Sequence, residues 1–331
     1  MLALGAKLTY PLGAGNPKFG GSDLSDIKLF RLVSSKATEM QGLASDLEKP
    51  LQTLIEKNLE ELLGIRFLKS EYSTGKTHAG RIDTLGLDEN NCPVIFEYKR
   101  SSSENVINQG LFYLDWLMDH KAEFELLVIN NLDKTSAKAI DWSAPRVVCI
   151  ANDFTKYDEH AVQQIGRNIE LFRYKQFGTE FLLLELVNSV SQKTIPKSKP
   201  PSKGKGIAKP TTLYGAAALV TARREVRDLF ASLEGYIMSL GDDVQRKDLK
   251  LYIAFKRIRN FTTVEVYKEK LLLHVHLNPD SVDLVEGFTR DVRKKGHWGT
   301  GDLEVWVRNN IDLERAKPLI KQAHDGGLSR G

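Results

Sequence analysis

The chain of 331 residues has 27% charged, 41% hydrophobic and 8% aromatic side chains. These are globular values that exclude full-length disorder, collagen and coiled-coil arrays, and the length suggests two domains. The net charge of +4 is local, because six lysines between Asn188 and Ala216, with no acid among them, exceed it. Bulk charge is therefore no argument for a nucleic-acid partner.

The first 45 residues are an N-terminal extension with one candidate strand, Ile27 to Val33. No secretory signal is expected from the opening Met-Leu-Ala-Leu-Gly. A helix is predicted over about Asp46–Leu63, where Leu51, Leu54, Ile55, Leu59, Leu62 and Leu63 recur at helical spacing. A strand follows over Arg66–Tyr72, then a Gly/Thr/Lys loop from Ser73 to Gly80. Residues 80–88 and 93–100, joined by the polar turn Glu89-Asn-Asn91, read as a β-hairpin. A helix is expected from about Ser103 to His120, with Ser101 and Glu104 spaced as a capping box. Strands are expected at Phe124–Asn130, Arg146–Ala151, Ile169–Tyr174 and Phe181–Leu186, and a helix near Asp158–Gly166. This pattern predicts an α/β domain over 46–190, a mixed sheet flanked by helices.

Residues 191–214 are rich in Lys and Pro, have few large apolar side chains, and read as a linker. The rest, 215–331, reads as a smaller α+β domain. Its expected elements are helices over Thr221–Met238 and Asp312–Ala323 and strands near Leu251–Arg257, Phe261–Tyr267, Leu271–Leu277 and Leu303–Trp306. No apolar run approaches the ~20 residues of a bilayer span. Cys92 and Cys149 each stand alone in apolar stretches, which predicts a reducing, cytoplasmic setting and no Cys-based zinc site.

The hairpin carries the chemistry. Side chains alternate along a strand, so Ile95, Glu97 and Lys99 share a face. If Asp88 pairs with Cys92, Asp83 lies across from Glu97. Two facing carboxylates repel, and Mg²⁺ or Mn²⁺ relieves that repulsion. Lys99 stands two residues on, placed to orient water or stabilise developing charge. The plain alternative is a cross-strand salt-bridge ladder on an exposed face. Gln109 and Tyr113, spaced i and i+4, share one face of the next helix.

Asp83, thirteen residues, then Glu97-x-Lys99 resembles the active-site pattern of the PD-(D/E)XK nuclease superfamily. With Gln109-x-x-x-Tyr113 it is similar to NucS-like endonucleases over roughly Leu47–Val187. The resemblance implies a restriction-endonuclease-like fold and a metal-dependent DNA endonuclease, in repair or in defence against foreign DNA. Asp83 and Glu97 would be metal ligands, Lys99 the catalytic lysine, and Gln109 and Tyr113 site supports. A helical glutamate completes the site in that family, and Leu47-Glu-Lys-Pro-Leu-Gln52 points to Glu48, with Glu56 and Glu60 as alternatives. NucS proper has a large N-terminal β domain that about 45 residues cannot supply, so its DNA-structure preference does not carry over. A non-catalytic nucleic-acid-binding or interaction protein on a degenerate nuclease fold is the second reading.

Arg66, Lys69, Lys76, His78, Arg81 and Arg100 cluster in sequence around the site as candidate phosphate contacts. No phosphate loop or dinucleotide fingerprint occurs, so ATP is not expected. In the C-terminal part His274 and His276 could share a metal, and Arg290, Arg293, Lys294, Lys295, His297, Trp298 and Trp306 mix basic and aromatic character. This part resembles an uncharacterised module attached to nuclease and defence-type proteins. The resemblance gives it no chemistry; it is read as a recognition or interaction module for nucleic acid or a protein partner. A homodimer is one expected assembly.

Overall fold

The computed structural model describes residues 27–43, 48–75, 79–99, 106–190 and 213–326. The expected class is observed: a mixed α/β sheet flanked by helices, then a second, smaller sheet unit. A two-stranded ribbon, β1 (Leu29–Val33) and β2 (Lys36–Met40), precedes the first unit.

The helix expected over Asp46–Leu63 is two helices, α1 (Glu48–Lys57) and α2 (Leu59–Leu63). Asn58 breaks them, its side-chain amide bonding the Leu54 carbonyl at 2.8 Å and its backbone leaving the helical region. Gly64, in the left-handed conformation at φ 68°, ends α2. Strands β4 (Ile65–Ser73), β5 (Arg81–Asp88) and β6 (Pro93–Lys99) form an antiparallel meander. The hairpin register is the expected one, with Thr84 opposite Phe96 and Leu87 opposite Pro93.

Helix α3 (Val106–Asp119) crosses to the segment expected as a strand over Phe124–Asn130. That expectation is corrected: Lys121–Asn131 is helix α4. Phe124 and Val128 are buried, while Leu126 and Ile129 are exposed. Four-residue spacing of the buried positions, among good helix formers, outweighs the local apolar run. A short helix α5 (Lys134–Lys138) follows, which the sequence reading did not anticipate.

Next come β7 (Arg146–Ala151), α6 (Lys156–Ile165), β8 (Ile169–Phe177) and β9 (Phe181–Val190). Strands β6, β7 and β8 are parallel, and β9 returns antiparallel to β8. A two-residue strand β3 (Gly42–Leu43) completes seven. β6 and β7 lie at the centre, apolar on both faces, as burial on both sides requires. One face packs Ile95, Val147 and Leu171 against Leu114 and Leu117 of α3. The other packs Phe96, Tyr98 and Val148 against Leu51, Ile55 and Leu59. Each such side chain contributes roughly 1.5–3 kcal/mol by burial.

The second unit opens with a 3₁₀ turn at Gly215–Val220 and α7 (Arg224–Met238). Its six strands are β10 (Gln245–Asp248), β11 (Ile253–Lys256), β12 (Asn260–Val266), β13 (Leu271–Val275), β14 (Thr289–Asp291) and β15 (Leu303–Val307). They pair antiparallel in the order β10-β11-β12-β13-β15-β14. α8 (Asn310–His324) packs with α7 on one face. Strands β10 and β14 were not read from the sequence; they are short and largely polar. The linker expected over 191–214 lies outside the described residues as far as 212.

The two units share a buried interface at the hairpin turn. Cys92 and Ala144 pack with Leu249, Tyr252 and Ala254. Asn90 Oδ1 accepts from Tyr252 Oη at 2.9 Å and from Asn260 Nδ2 at 2.7 Å. Arg146 bonds Glu170 at 2.5 Å and lies 3.3 Å from Asp88, while Lys256 bonds Glu170 at 2.7 Å.

Candidate active site

The hairpin brings Asp83 and Glu97 together at the end of the sheet opposite its turn. The β5–β6 ladder ends at Thr84. Beyond it the Asp83 carboxylate takes over the backbone's task, with Oδ2 accepting from the Tyr98 main-chain N–H at 3.0 Å. Behind it, Gln52 of α1 donates from Nε2 to the Asp83 carbonyl at 2.8 Å. Asp83 is thus fixed from both sides.

Glu97 is fully buried, and among the described residues no side chain donates a hydrogen bond to its carboxylate; the Asp83 main-chain N–H is its nearby donor. Burial, and secondarily the Asp83 carboxylate, pushes its pKa up to about 9; the Asp83 main chain and Lys99 pull the other way without prevailing. Lys99, half-buried at the end of β6, lies close enough to act on that charge.

Gln109 and Tyr113 stand on α3 as expected, with Gln109 Nε2 3.4 Å from Tyr113 Oη. Tyr113 Oη accepts from the Arg81 N–H at 3.1 Å. This braces β5 two residues before Asp83. Gly80 is needed there for space: a Cβ would stand 2.6 Å from the Tyr113 ring.

Three residues at the site were not read from the sequence. Gln52 is buried and also bonds Glu56 at 2.9 Å. Its signal is a polar side chain beside Leu51 on the buried face of α1. Thr84 donates to Glu56 at 2.6 Å. Glu71 on β4 takes a left-handed conformation at φ 54° and pairs with Lys49 at 2.7 Å and with Arg81. Burial raises its pKa, but hydrogen bonds from Lys49 and Gln52 and the charges of Lys49 and Arg81 hold it below the ordinary value.

The other candidates are spread out. Glu48 opens α1, but its side chain lies outside the described residues, as do Lys76, His78, Arg100, Ser101 and Glu104. Glu56 faces Thr84, and Glu60 is exposed. Arg81 is at the site through Glu71. Arg66 is not: it bonds Asn91 at 2.7 Å and Ser136 at 3.1 Å, at the turn end of the hairpin.

In the second unit His274 is buried, stacked on His297 with centroids 4.3 Å apart, and lies 3.5 Å from Glu265. His276 instead bonds Thr300 at 2.9 Å, so the two histidines do not converge. Arg290 pairs with Glu304, and Arg293 with Asp280 and Asp291.

A divalent cation fits Glu97: its carboxyl is buried beside a second carboxylate, and a cation's charge would favour the ionised, acceptor-only form that burial disfavours. Among the described residues no three His, Cys, Asp or Glu side chains gather as a metal-binding group. The described part of the site therefore offers two carboxylates, which suits an ion that keeps several waters and takes phosphate oxygens, as Mg²⁺ does. Among the described residues no helix is long and apolar enough to cross a membrane.

Residues 217–326 match a domain of unknown function, DUF5655. A repair endonuclease from Pyrococcus abyssi, a solved structure, is 18% identical and covers 39% of this chain and 47% of its own, with a TM-score of 0.27. So slight a likeness carries no argument about activity. An uncharacterized protein of Haemophilus influenzae is 30% identical over 305 residues, 90% of this chain and 99% of the relative. The match runs through both sheet units, and the chain belongs to the family of that Haemophilus influenzae protein.

Proposed function

We propose that the protein is a metal-dependent DNA endonuclease that hydrolyses phosphodiester bonds, in repair or in defence against foreign DNA. One observation carries the reading: Glu97 is fully buried beside the Asp83 carboxylate and near Lys99, and among the described residues no side chain donates a hydrogen bond to it. A structural carboxylate so placed would be costly; a ligand set for a cation is not.

Asp83 and Glu97 would hold Mg²⁺ or Mn²⁺, with Glu48 as the candidate further carboxylate. When bound, such an ion supplies Lewis-acid charge and a water of lowered pKa. Lys99 holds a proton and a positive charge beside the reacting phosphate, where negative charge develops. Tyr113 fixes the start of β5 through the Arg81 N–H, and Gln109 lies against its hydroxyl. Arg81, exposed and near Asp83, is the described cation best placed for a DNA phosphate, with Lys76 and Arg100 as further candidates. Arg66, at the far end of the hairpin, is not included.

The test is cleavage of single-stranded, duplex and modified DNA and of RNA with each metal. Mg²⁺- or Mn²⁺-dependent nicking, lost on chelation and in Asp83→Ala and Glu97→Ala, is expected. Binding without cleavage of any substrate would leave the second reading, a non-catalytic nucleic-acid-binding protein.

A further inference from the structure

Beside the 3₁₀ turn of the second unit lies a cavity of about 290 Å³. It sits where β12 outruns its neighbour. Ile253, the first residue of β11, pairs with Val264, so Glu265 and Val266 have no β11 partner. Leu251 and Tyr214 line the gap, held together by the Gly215 N–H donating to the Leu251 carbonyl at 3.1 Å. The volume is at the bottom of the ~300–1,000 Å³ range of small-ligand sites, which suits a head group more than a nucleotide.

Three of the lining side chains are aromatic and open to solvent: Tyr214, Tyr267 and Trp298 are 40%, 41% and 46% exposed. Tyr214 and Trp298 meet with ring centroids 4.9 Å apart and planes at 88°. Faces at a right angle do not sandwich a flat ring, but they offer two negative π surfaces to a rounded group. Glu265 supplies a carboxylate to the lining, and Tyr267 Oη donates to its Oε2 at 2.9 Å. Among the described residues no lysine or arginine pairs with Glu265. His274 Nδ1 lies 3.5 Å away, but burial holds its pKa down to about 4, so at neutral pH that ring brings no charge. Burial raises the Glu265 pKa, and the Tyr267 hydroxyl, the Gly299 main chain and His297 pull it down without prevailing. A carboxylate in this position repels phosphates and lacks a counter-charge. Lys268 also lines the cavity, but it is exposed, with its ammonium in water.

We propose that this cavity binds a methylated ammonium head group. The cation lies in the corner between the Tyr214 and Trp298 rings, and Glu265 is its counter-charge. Methylation matters, because a primary ammonium is compact and strongly hydrated, whereas methyl groups spread the charge over a surface that aromatic walls can cover. The same head group occurs free in choline and on the side chain of a trimethylated lysine. The site is separate from Asp83 and Glu97 and does not rest on the nuclease reading.

The test is calorimetric titration of the full chain, without DNA, against four probes. They are choline, its neutral tert-butyl analogue with carbon in place of nitrogen, a peptide carrying one trimethylated lysine, and the same peptide unmethylated. Choline or the methylated peptide should bind one-to-one with a Kd below ~1 mM, and the tighter of the two identifies the source of the head group. The neutral analogue and the unmethylated peptide should bind at least tenfold more weakly. Trp298→Ala should weaken binding at least tenfold and Trp298→Phe less, while Glu265→Gln, which keeps an acceptor for Tyr267, should weaken it at least threefold. Thermal melts check folding, and Trp298→Leu replaces Trp298→Ala if that variant does not fold. The proposal is overturned if neither ammonium binds, or if the neutral analogue binds as tightly as choline. It is equally overturned if loss of the Trp298 ring or of the Glu265 charge leaves the affinity unchanged.

Discussion

Lys256 Nζ of the second sheet unit lies 2.7 Å from Glu170 Oε1 of the first, with both side chains almost wholly buried. Burial alone would raise the Glu170 pKa, but the charges of Arg146 and Lys256 drive it far below the ordinary range. A buried ion of this kind is tolerable only while its partners stay in place. The interface therefore joins the two units into one cooperative body.

Lys256→Met should destabilise the whole chain by about 3 kcal/mol, the scale for breaking a buried ion pair. Wild type should unfold in one transition, read by both calorimetry and circular dichroism. Proteolytic cutting within 191–212 should leave the two halves together on size exclusion. Separation of the halves after cutting would contradict the interface.

Asp83 and Glu97 should respond oppositely in the absence of divalent ions. Asp83→Ala leaves the Tyr98 N–H without its acceptor and should destabilise by about 1–3 kcal/mol. Glu97→Gln removes a buried carboxylate and should leave the melting temperature level or higher. Mg²⁺ or Mn²⁺ should raise the melting temperature of wild type but of neither variant.

Lys99 should act in the chemical step. Lys99→Ala should bind DNA in Ca²⁺ with near-wild-type affinity, while turnover in Mg²⁺ falls by roughly two orders of magnitude. Lys99→Arg should not restore it, because a planar fork does not replace a compact ammonium. Weakened binding with an unchanged single-turnover rate would make Lys99 a phosphate clamp.

Gly80→Ala should cost about 1–3 kcal/mol, since its methyl would meet the Tyr113 ring at 2.6 Å. Tyr113→Phe removes only the acceptor for the Arg81 N–H and should cost about 1 kcal/mol. If the double variant Gly80→Ala/Tyr113→Ala relieves the clash, its loss should be less than the two single losses added. Denaturant melts measure all of these.

His274 sets an acid limit. Burial, and then the neighbouring His297, lowers its pKa from 6.5 to about 4; Glu304 opposes this and Arg290 adds to it. Glu265 also faces the ring at 3.5 Å. A depressed histidine is neutral in the native state, so its contribution is complete above pH 6.5 and is lost as pH falls toward 4. At about 1.4 kcal/mol per pH unit, the loss is at most ~3.5 kcal/mol. Urea melts at pH 7, 5.5 and 4 should show a shallower fall for His274→Gln than for wild type.

The local pattern of the sequence determined the hairpin, its register, the shared face of Ile95, Glu97 and Lys99, and the Gln109–Tyr113 pair. Alternation along a strand and the helical repeat are properties of neighbouring residues, so they are legible without the fold. The fold class followed from the order of such segments. Tertiary structure decided the rest. The run Phe124–Asn130 became helix because Phe124, Leu127 and Val128, which share one helix face, found a core. Arg66, close to Asp83 in sequence, lies at the hairpin's far end because an extended chain rises about 3.3 Å per residue. Gln52, Thr84 and Glu71 reached the site through packing of α1 and β4 against β5. The ion network that joins the two units likewise depends on strand residues remote in sequence, Arg146, Glu170 and Lys256.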